Sequence, residues 1–401
     1  MAAPLLPVAD ARRLIVSSLK PLDMETVKLA DALGRALAEP PVARVSHPPA
    51  DVSAMDGYAV RAEDLSTVPA TLRVIGESAA GHPSPETVGP GTAVRIFTGA
   101  VVPKGANTVV IQENAEALAD NVSVKEQTLH GKNIRPAGQD FKAGETILIA
   151  PRRLSARDIG LLAAMNVPEI RAYRRPRVGV LSTGDEIVLP GETPGSGQIF
   201  SANGPGLCAF VQSAGGEPVH LGVVPDDASA LLETVSNAKD LDMIVTSGGV
   251  SVGDHDLIKQ SLVSEGLNVS FHKIAMRPGK PLLFGDFMGL PFMGLPGNPV
   301  SAMVCALLFL GPAIDVLSGL PGDAPKTVPA ILDTPLAEND GREDYIRALS
   351  NSHDGGHLHV SALPRQDSAM VAALAKSDAL IVRPPNAPAA AAGQHVPIIC
   401  L

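Results

Sequence analysis

Thr246-Ser247-Gly248-Gly249-Val250-Ser251-Val252-Gly253-Asp254-His255-Asp256 follows an apolar segment over 241–245 and leads into a helical pattern over 257–263. It reads as a strand, a glycine-rich turn and a helix start. The glycines at 248, 249 and 253 let backbone N–H groups come close to a ligand, and the following helix aims its positive end at that ligand. An anion, foremost a phosphate, is the expected occupant. The spacing is neither GxxxxGK[ST] nor GxGxxG, so neither a nucleoside-triphosphatase loop nor a Rossmann fingerprint is supported. A Gly-rich turn after a strand can also be a plain tight connection, so the neighbouring segments decide its meaning.

Around this turn the pattern alternates: strands over 178–181, 219–223 and 243–245, and helices over 206–213, 226–238 and 257–263. Such alternation predicts a parallel sheet covered by helices, with ligands beyond the carboxyl ends of the strands. Upstream, residues 8–38 show helical spacing (Ala11, Leu14, Ile15, Leu19, then Val27, Leu29, Ala32, Leu33, Leu37) and predict two short helices. Short alternating segments over 71–75, 93–97, 108–112 and 122–125 predict a small β domain. Ser155 with Asp158 three residues on is a capping box, and the helix it opens over 154–165 makes the β domain an insertion into a helical one. Beyond Pro321, strands over 328–332, 345–349, 357–360 and 380–382 and a brief helical stretch over 368–375 predict a separate C-terminal β domain. The expected boundaries are 1–46 with 136–175, 47–135, 176–320 and 321–401.

With 401 residues the chain has room for roughly two to four domains. Having no Trp and only 3% aromatic residues, it must build its cores from Val, Leu, Ile and Ala. A net charge of -10 argues against nucleic acid or anionic lipid as partner, since both need a basic face. An anionic ligand then requires a local cationic pocket, which Lys273, Arg277 and Lys280, or Arg342, Arg347 and Arg365, would supply. Cys208, Cys305 and Cys400 lack CxxC spacing, which suggests neither zinc nor disulfides and fits a reducing cytoplasm. No signal peptide is read, and the apolar run over 300–314 is expected to be a buried helix too short to span a bilayer.

Several further segments stand in a fixed order: Ser53-Ala54-Met55-Asp56-Gly57-Tyr58-Ala59-Val60, Ile96-Phe97-Thr98-Gly99-Ala100, Leu181-Ser182-Thr183-Gly184-Asp185-Glu186, Met276-Arg277-Pro278-Gly279-Lys280-Pro281 and Gly294-Leu295-Pro296-Gly297-Asn298-Pro299-Val300-Ser301. Together with the Gly-rich turn they resemble the MoeA family, the molybdopterin molybdenumtransferases that include the E domain of gephyrin. The resemblance spans nearly the whole chain and is weakest beyond residue 320. It implies a central MogA-like parallel-sheet domain with helices on both faces, a helical domain carrying the inserted β domain, and a C-terminal β domain. The implied reaction inserts molybdenum from molybdate into adenylylated molybdopterin, with Mg²⁺-assisted release of AMP, in a homodimer whose active site lies at the subunit interface. Transient contacts with other molybdenum cofactor biosynthesis proteins are also implied. Two other readings stay open: an adenylyltransferase of the MogA type, which would consume ATP, and an assembly scaffold without turnover.

Acidic residues cluster near predicted strand ends. Carboxylates gathered at one sheet edge could hold Mg²⁺, which prefers oxygen ligands and bridges to substrate phosphates. Asp226 and Asp254 also stand where helix N-caps belong, and Asp256 could complement a helix dipole. The resemblance marks Glu186, Asp226 and Asp256 as the acidic active-site and metal positions, with Asp227 a nearby alternative. Arg277 and Lys280 flank a Pro-Gly bend that presents both cations to one side, suited to phosphate and to an oxyanion; many family members have Lys where this chain has Arg277. By resemblance Thr183, Gly184, Ser247, Gly248, Gly249, Ser251, Gly253, Arg277, Pro296 and Asn298 bind the cofactor, while Arg277, Lys280, Arg342 and Ser368 receive molybdate. Residues 366–370 depart from the Gly/Ser-rich form common in the family. Asp56 and Thr98 would complete the site from the partner subunit, although Asp56-Gly57 by itself is a turn signal. Asn298 before Pro299 is also a helix entry in its own right. His357 and His359 share a strand face without a third ligand nearby.

Overall fold

In the computed structural model, residues 5–225, 227–248, 262–352 and 357–401 are described. The central sheet runs Glu217–Val224, Arg177–Thr183, Met243–Ser247, Leu290–Leu295, Leu283–Phe287, Leu267–Phe271. Its first four strands are parallel, and the last two complete the edge antiparallel. Strand alternation sorts the apolar side chains onto two faces. Val178, Val180, Met243, Val245, Met293 and Leu295 enter one core, and Leu181, Ile244 and Phe292 enter the other. The registers Ser182↔Ser247 and Ser247↔Leu295 bring three strands to one carboxyl edge. Because Arg177–Thr183 connects onward to one neighbour and Met243–Ser247 lies on its other side, the chain reverses direction between these two strands. A crevice opens at such a switch point.

The apolar run forms one continuous helical stretch, Pro299–Leu317, of 19 residues and mean hydropathy 2.1, which is long and apolar enough to cross a bilayer; the expectation that it was too short is corrected. It is 78% buried inside the protein, so its apolar surface is already covered by the core. The helix Val8–Ser18 lays Val8, Ala11 and Ile15 against it. The first helix thereby packs into the central core before the chain turns to the strand Met24–Lys28.

The second expected helix in 8–38 is instead a strand, Met24–Lys28, a 3₁₀ turn at Leu29–Asp31 and a short strand, Ala36–Leu37. Local helical spacing lost to long-range pairing: Met24–Lys28 lies antiparallel to Glu169–Tyr173, with Val27 opposite Ile170. The capping box forms as read. Ser155 accepts from the Asp158 N–H, Asp158 accepts from the Ser155 N–H at 2.8 Å, and the helix Ala156–Ala164 follows. Residues on both sides of the β region thus share one sheet. Between them lies a six-stranded sheet holding Gly57–Val60, Ala70–Ser78, Thr92–Ile96, Thr108–Ile111, Ala115–Leu118 and Asn121–Val124.

The C-terminal strands close on themselves, because Glu343–Ser352 pairs both with Leu358–Ala362 and with Ala379–Arg383. A strand not foreseen, His395–Cys400, lies between Val328–Leu332 and Ala379–Arg383. The two-residue strand Met276–Arg277 adds to this barrel in parallel, with Arg277 opposite Asp344. That pairing brings the Arg-Pro-Gly-Lys bend up to the C-terminal domain.

Candidate functional site

A cavity of about 960 Å³ opens at the carboxyl edge of the central sheet and extends to the C-terminal barrel. Ten expected site residues line it: Thr183, Glu186, Ser247, Gly248, Arg277, Lys280, Pro296, Asn298, Arg342 and Ser368. Gly184 lies beside it in a smaller concavity shared with Asp185. Asp226, Gly249, Ser251, Gly253 and Asp256 lie outside the described residues, as do Asp254 and His255. Asp56 and Thr98 do not line the cavity of their own chain.

The start of the Gly-rich turn is built by close approach. Gly248 has φ +97°, and a Cβ there would sit 2.4 Å from the Thr183 carbonyl oxygen, so only glycine lets the two strand ends converge. Its N–H donates to the Leu295 carbonyl at 3.3 Å. The Thr183 hydroxyl is buried and has no hydrogen-bond partner among the described residues. Ser247 is spent on structure: it accepts from Asn203 Nδ2 at 2.7 Å and donates to the Pro296 carbonyl at 3.3 Å. Asn203 Nδ2 also donates to the Gly297 carbonyl at 2.7 Å, tying three loops together. Sequence reasoning missed Asn203, which stands at a helix start with no motif around it and becomes visible only when Ser247 and Gly297 are neighbours.

The N-cap expected at Asp226 falls one residue later. Asp227 Oδ1 accepts from the Ala230 N–H at 2.9 Å and opens the helix Ala228–Asn237. Asn298 occupies the N-cap position before Pro299 but makes no capping bond; its Nδ2 donates to Ser368 Oγ at 2.8 Å instead. This links the sheet domain to the barrel across the cavity.

Among the described residues three cations face the cavity, and two of them are paired. Arg277 bonds Asp344 through Nη2 and reaches Asp340 at 3.9 Å. Arg342 donates Nε to both Asp340 oxygens, at 3.0 and 3.2 Å, and Nη2 to one of them. Lys280, half-buried, has no salt bridge among the described residues. Lys273 and Arg365 do not line the cavity, and Arg347 is 1% exposed, so these members of the expected cationic sets lie elsewhere. Arg347 is buried because its guanidinium holds the carbonyls of Arg365, Asp367 and Met370, which fixes the loop carrying Ser368.

In the β domain, Asp56 Oδ1 accepts from the Thr98 N–H at 2.8 Å and the Thr98 hydroxyl at 2.7 Å. These bonds hold its carboxyl below the ordinary value. Arg95 stacks over the rings of Tyr58 and Phe97, bracing the two loops. His359 bonds Asp333 at 2.7 Å, and no group of three His, Cys, Asp or Glu residues that could hold a metal occurs among the described residues.

Fold and pocket define a multidomain α/β protein with a cavity, lined in part by Arg277, Lys280 and Arg342, between a sheet domain and a barrel. Comparison with known proteins narrows this class. Residues 6–166 match the MoeA N-terminal region (domain I and II), 179–316 a probable molybdopterin binding domain, and 329–401 the MoeA C-terminal region (domain IV). The molybdopterin molybdenumtransferase of Nostoc sp. is 38% identical over 99% of this chain and 94% of its own, and that of Haemophilus influenzae is 36% identical over 94% of each. The crystal structure of the molybdopterin biosynthesis moeA protein from Pyrococcus horikoshii OT3 is 30% identical with a TM-score of 0.83, covering 99% of this chain and 100% of that one. The chain belongs to the MoeA family of molybdopterin molybdenumtransferases, enzymes of molybdenum cofactor biosynthesis.

Proposed function

We propose that the cavity binds adenylylated molybdopterin together with molybdate and transfers molybdenum to the dithiolene with release of AMP. The observation that carries this reading is Lys280, without a salt bridge among the described residues, beside the glycine-lined strand ends in a cavity large enough for a nucleotide-sized ligand. The N–H groups of the Gly-rich turn, with Gly249, Ser251 and Gly253, cradle the phosphates, and Lys280 neutralises charge there. Arg277, Arg342 and Ser368 receive the oxyanion. No covalent protein nucleophile is required, and the Ser247 hydroxyl is already committed on both sides.

Magnesium takes oxygen donors and engages one or two carboxylates together with substrate phosphates. The Glu186 carboxylate and the Thr183 hydroxyl, which has no hydrogen-bond partner among the described residues, are donors of this kind at the cavity, so the residues fit. Glu186, with Asp226 and Asp256, would hold the ion. When bound, magnesium supplies electrostatic stabilisation of charge on the phosphoanhydride. Gly184 leaves room for Glu186, since a Cβ there would stand 2.6 Å from its carboxylate oxygen.

We read the protein as a cytoplasmic homodimer in which Asp56 and Thr98 complete the partner's cavity. The inserted unit of 47–135, carried by the linker segments, presents that pair on loops beside the exposed Met55 and Val101, an apolar rim suited to a protein surface. The test is AMP release from adenylylated molybdopterin by purified protein, with and without molybdate and Mg²⁺. Release that needs Mg²⁺, responds to molybdate and falls at least a hundredfold in Lys280→Ala and Asp256→Ala is the expected result, in line with loss of a charge-stabilising group. No release, with binding intact, would overturn the reading.

A further inference from the structure

The cations on the cavity wall differ in what they have left to offer. Arg342 spends Nε and Nη2 on Asp340, and its backbone N–H also donates to that carboxylate at 3.0 Å. Its planar fork, the feature that suits guanidinium to an oxyanion, is therefore occupied. Arg277 gives Nη2 to Asp344 and brings Nη1 to 3.9 Å from Asp340. Both arginines line the cavity, whereas neither Asp340 nor Asp344 does. The carboxylates hold the guanidinium groups from outside the ligand space, and Asp340 serves both at once.

Among the described residues, two further carboxylates, Glu186 and Asp367, belong to residues lining the same cavity. Asp344 is 3% exposed and keeps one oxygen without a partner among the described residues, so its charge is committed to Arg277. Asp340 is different, with a half-exposed side chain that adds no packing to a core.

We infer that Asp340 is an affinity-setting residue that competes with the incoming oxyanion for Arg277 and Arg342, keeping the affinity for tetrahedral dianions low enough for the anion to be passed on. The inference rests on reading the cavity as an oxyanion site. Any dianion reaching the two arginines shares their N–H groups with a carboxylate already in place, and it feels the repulsion of that charge. The Arg342 hydrogen bonds hold the Asp340 carboxyl at about 2, so the competing charge is present at neutral pH.

The experiment is titration calorimetry of the full chain with sodium molybdate and, separately, sodium sulfate. Asp340→Asn removes the charge but keeps an oxygen that accepts from the Arg342 N–H. It is expected to bind both dianions about tenfold more tightly at low salt, with the gain shrinking as NaCl is raised. Asp340→Ser, which removes the whole carboxylate and leaves only a hydroxyl, is expected to shift affinity in the same direction, and far-UV circular dichroism checks that both variants are folded. Lys280→Ala in the same series is expected to lose at least tenfold in molybdate affinity. Equal or weaker binding in Asp340→Asn, with the Lys280→Ala loss still seen, would overturn the inference and leave Asp340 as a mere support for Arg342. Undiminished binding in Lys280→Ala would instead remove the oxyanion reading of the cavity, and the inference with it.

Discussion

Substituting Gly248 tests whether the cavity depends on close approach of two strand ends. Two costs are expected in Gly248→Ala. The residue sits at φ +97°, where an L side chain is strained by about 1–2 kcal/mol. Its Cβ would also stand 2.4 Å from the Thr183 carbonyl oxygen and 2.8 Å from the Thr183 hydroxyl, both held in a strand, so the neighbour cannot yield without moving. Overlap of that kind adds about 1–3 kcal/mol. Gly222 is a control in the same sheet: its φ is +90°, but a Cβ there meets nothing within 4 Å, so Gly222→Ala bears the strain alone. The expected destabilisation is about 3 kcal/mol for Gly248→Ala against about 1 kcal/mol for Gly222→Ala. With no Trp in the chain, urea unfolding is followed by far-UV circular dichroism. Molybdopterin binding is measured on both variants, with loss expected only in Gly248→Ala. Equal midpoints and equal binding in the two variants would refute the argument that Gly248 is required by contact with Thr183.

Four further outcomes are expected. Thr98→Ala removes one of the two bonds that hold the Asp56 carboxyl low, so its titration, followed by carboxyl ¹³C NMR, should move up toward the ordinary 3.8; an unmoved titration would contradict the assigned pairing. Because the folded-state value is depressed, stability from Asp56 is present above the ordinary value and lost only as pH falls through the depressed one. Ser155→Ala opens the capping box and should cost about 1 kcal/mol, read as a lower urea midpoint; no change would show that the cap is redundant. Arg347→Met deprives three loop carbonyls of their donor and should cost about 3 kcal/mol. It should also speed hydrogen exchange at the Val300 N–H, which donates to the Ser368 carbonyl at 3.0 Å, and unchanged protection there would break the proposed link between Arg347 and the cavity loop. In the native protein a thiol reagent should modify exposed Cys400 readily and leave Cys305, whose thiol burial pushes up, untouched until unfolding; early labelling of Cys305 would contradict its burial.

Much of the fold was legible because the deciding signals are local. The capping box at Ser155 and Asp158 satisfies its own bonds within one turn, and strand alternation in 243–247 sorts side chains between two faces wherever the strand is placed. At the start of the Gly-rich turn the sequence showed that a glycine stands at 248, while its close approach to Thr183 came only from the fold. Where local pattern failed, a distant partner had decided. Met24–Lys28 looks helical in spacing but pairs with residues nearly a hundred and fifty positions away, and the packing partner of the Val8–Ser18 stripe, Pro299–Leu317, lies far along the chain where no local pattern shows it.

The amino-acid sequence by itself determined the central parallel strands, the sheet edge at which the cavity opens, the family, and the set of cations from which the pocket draws. Tertiary structure alone decided which of those cations remain free. Arg277 and Arg342 face the cavity already bound to Asp344 and Asp340, Arg347 is withdrawn to hold a loop, and Lys280 keeps its charge unpaired among the described residues. Charge is a property of a residue, but the field at a site depends on distances between residues that the chain sets only when the barrel closes against the sheet.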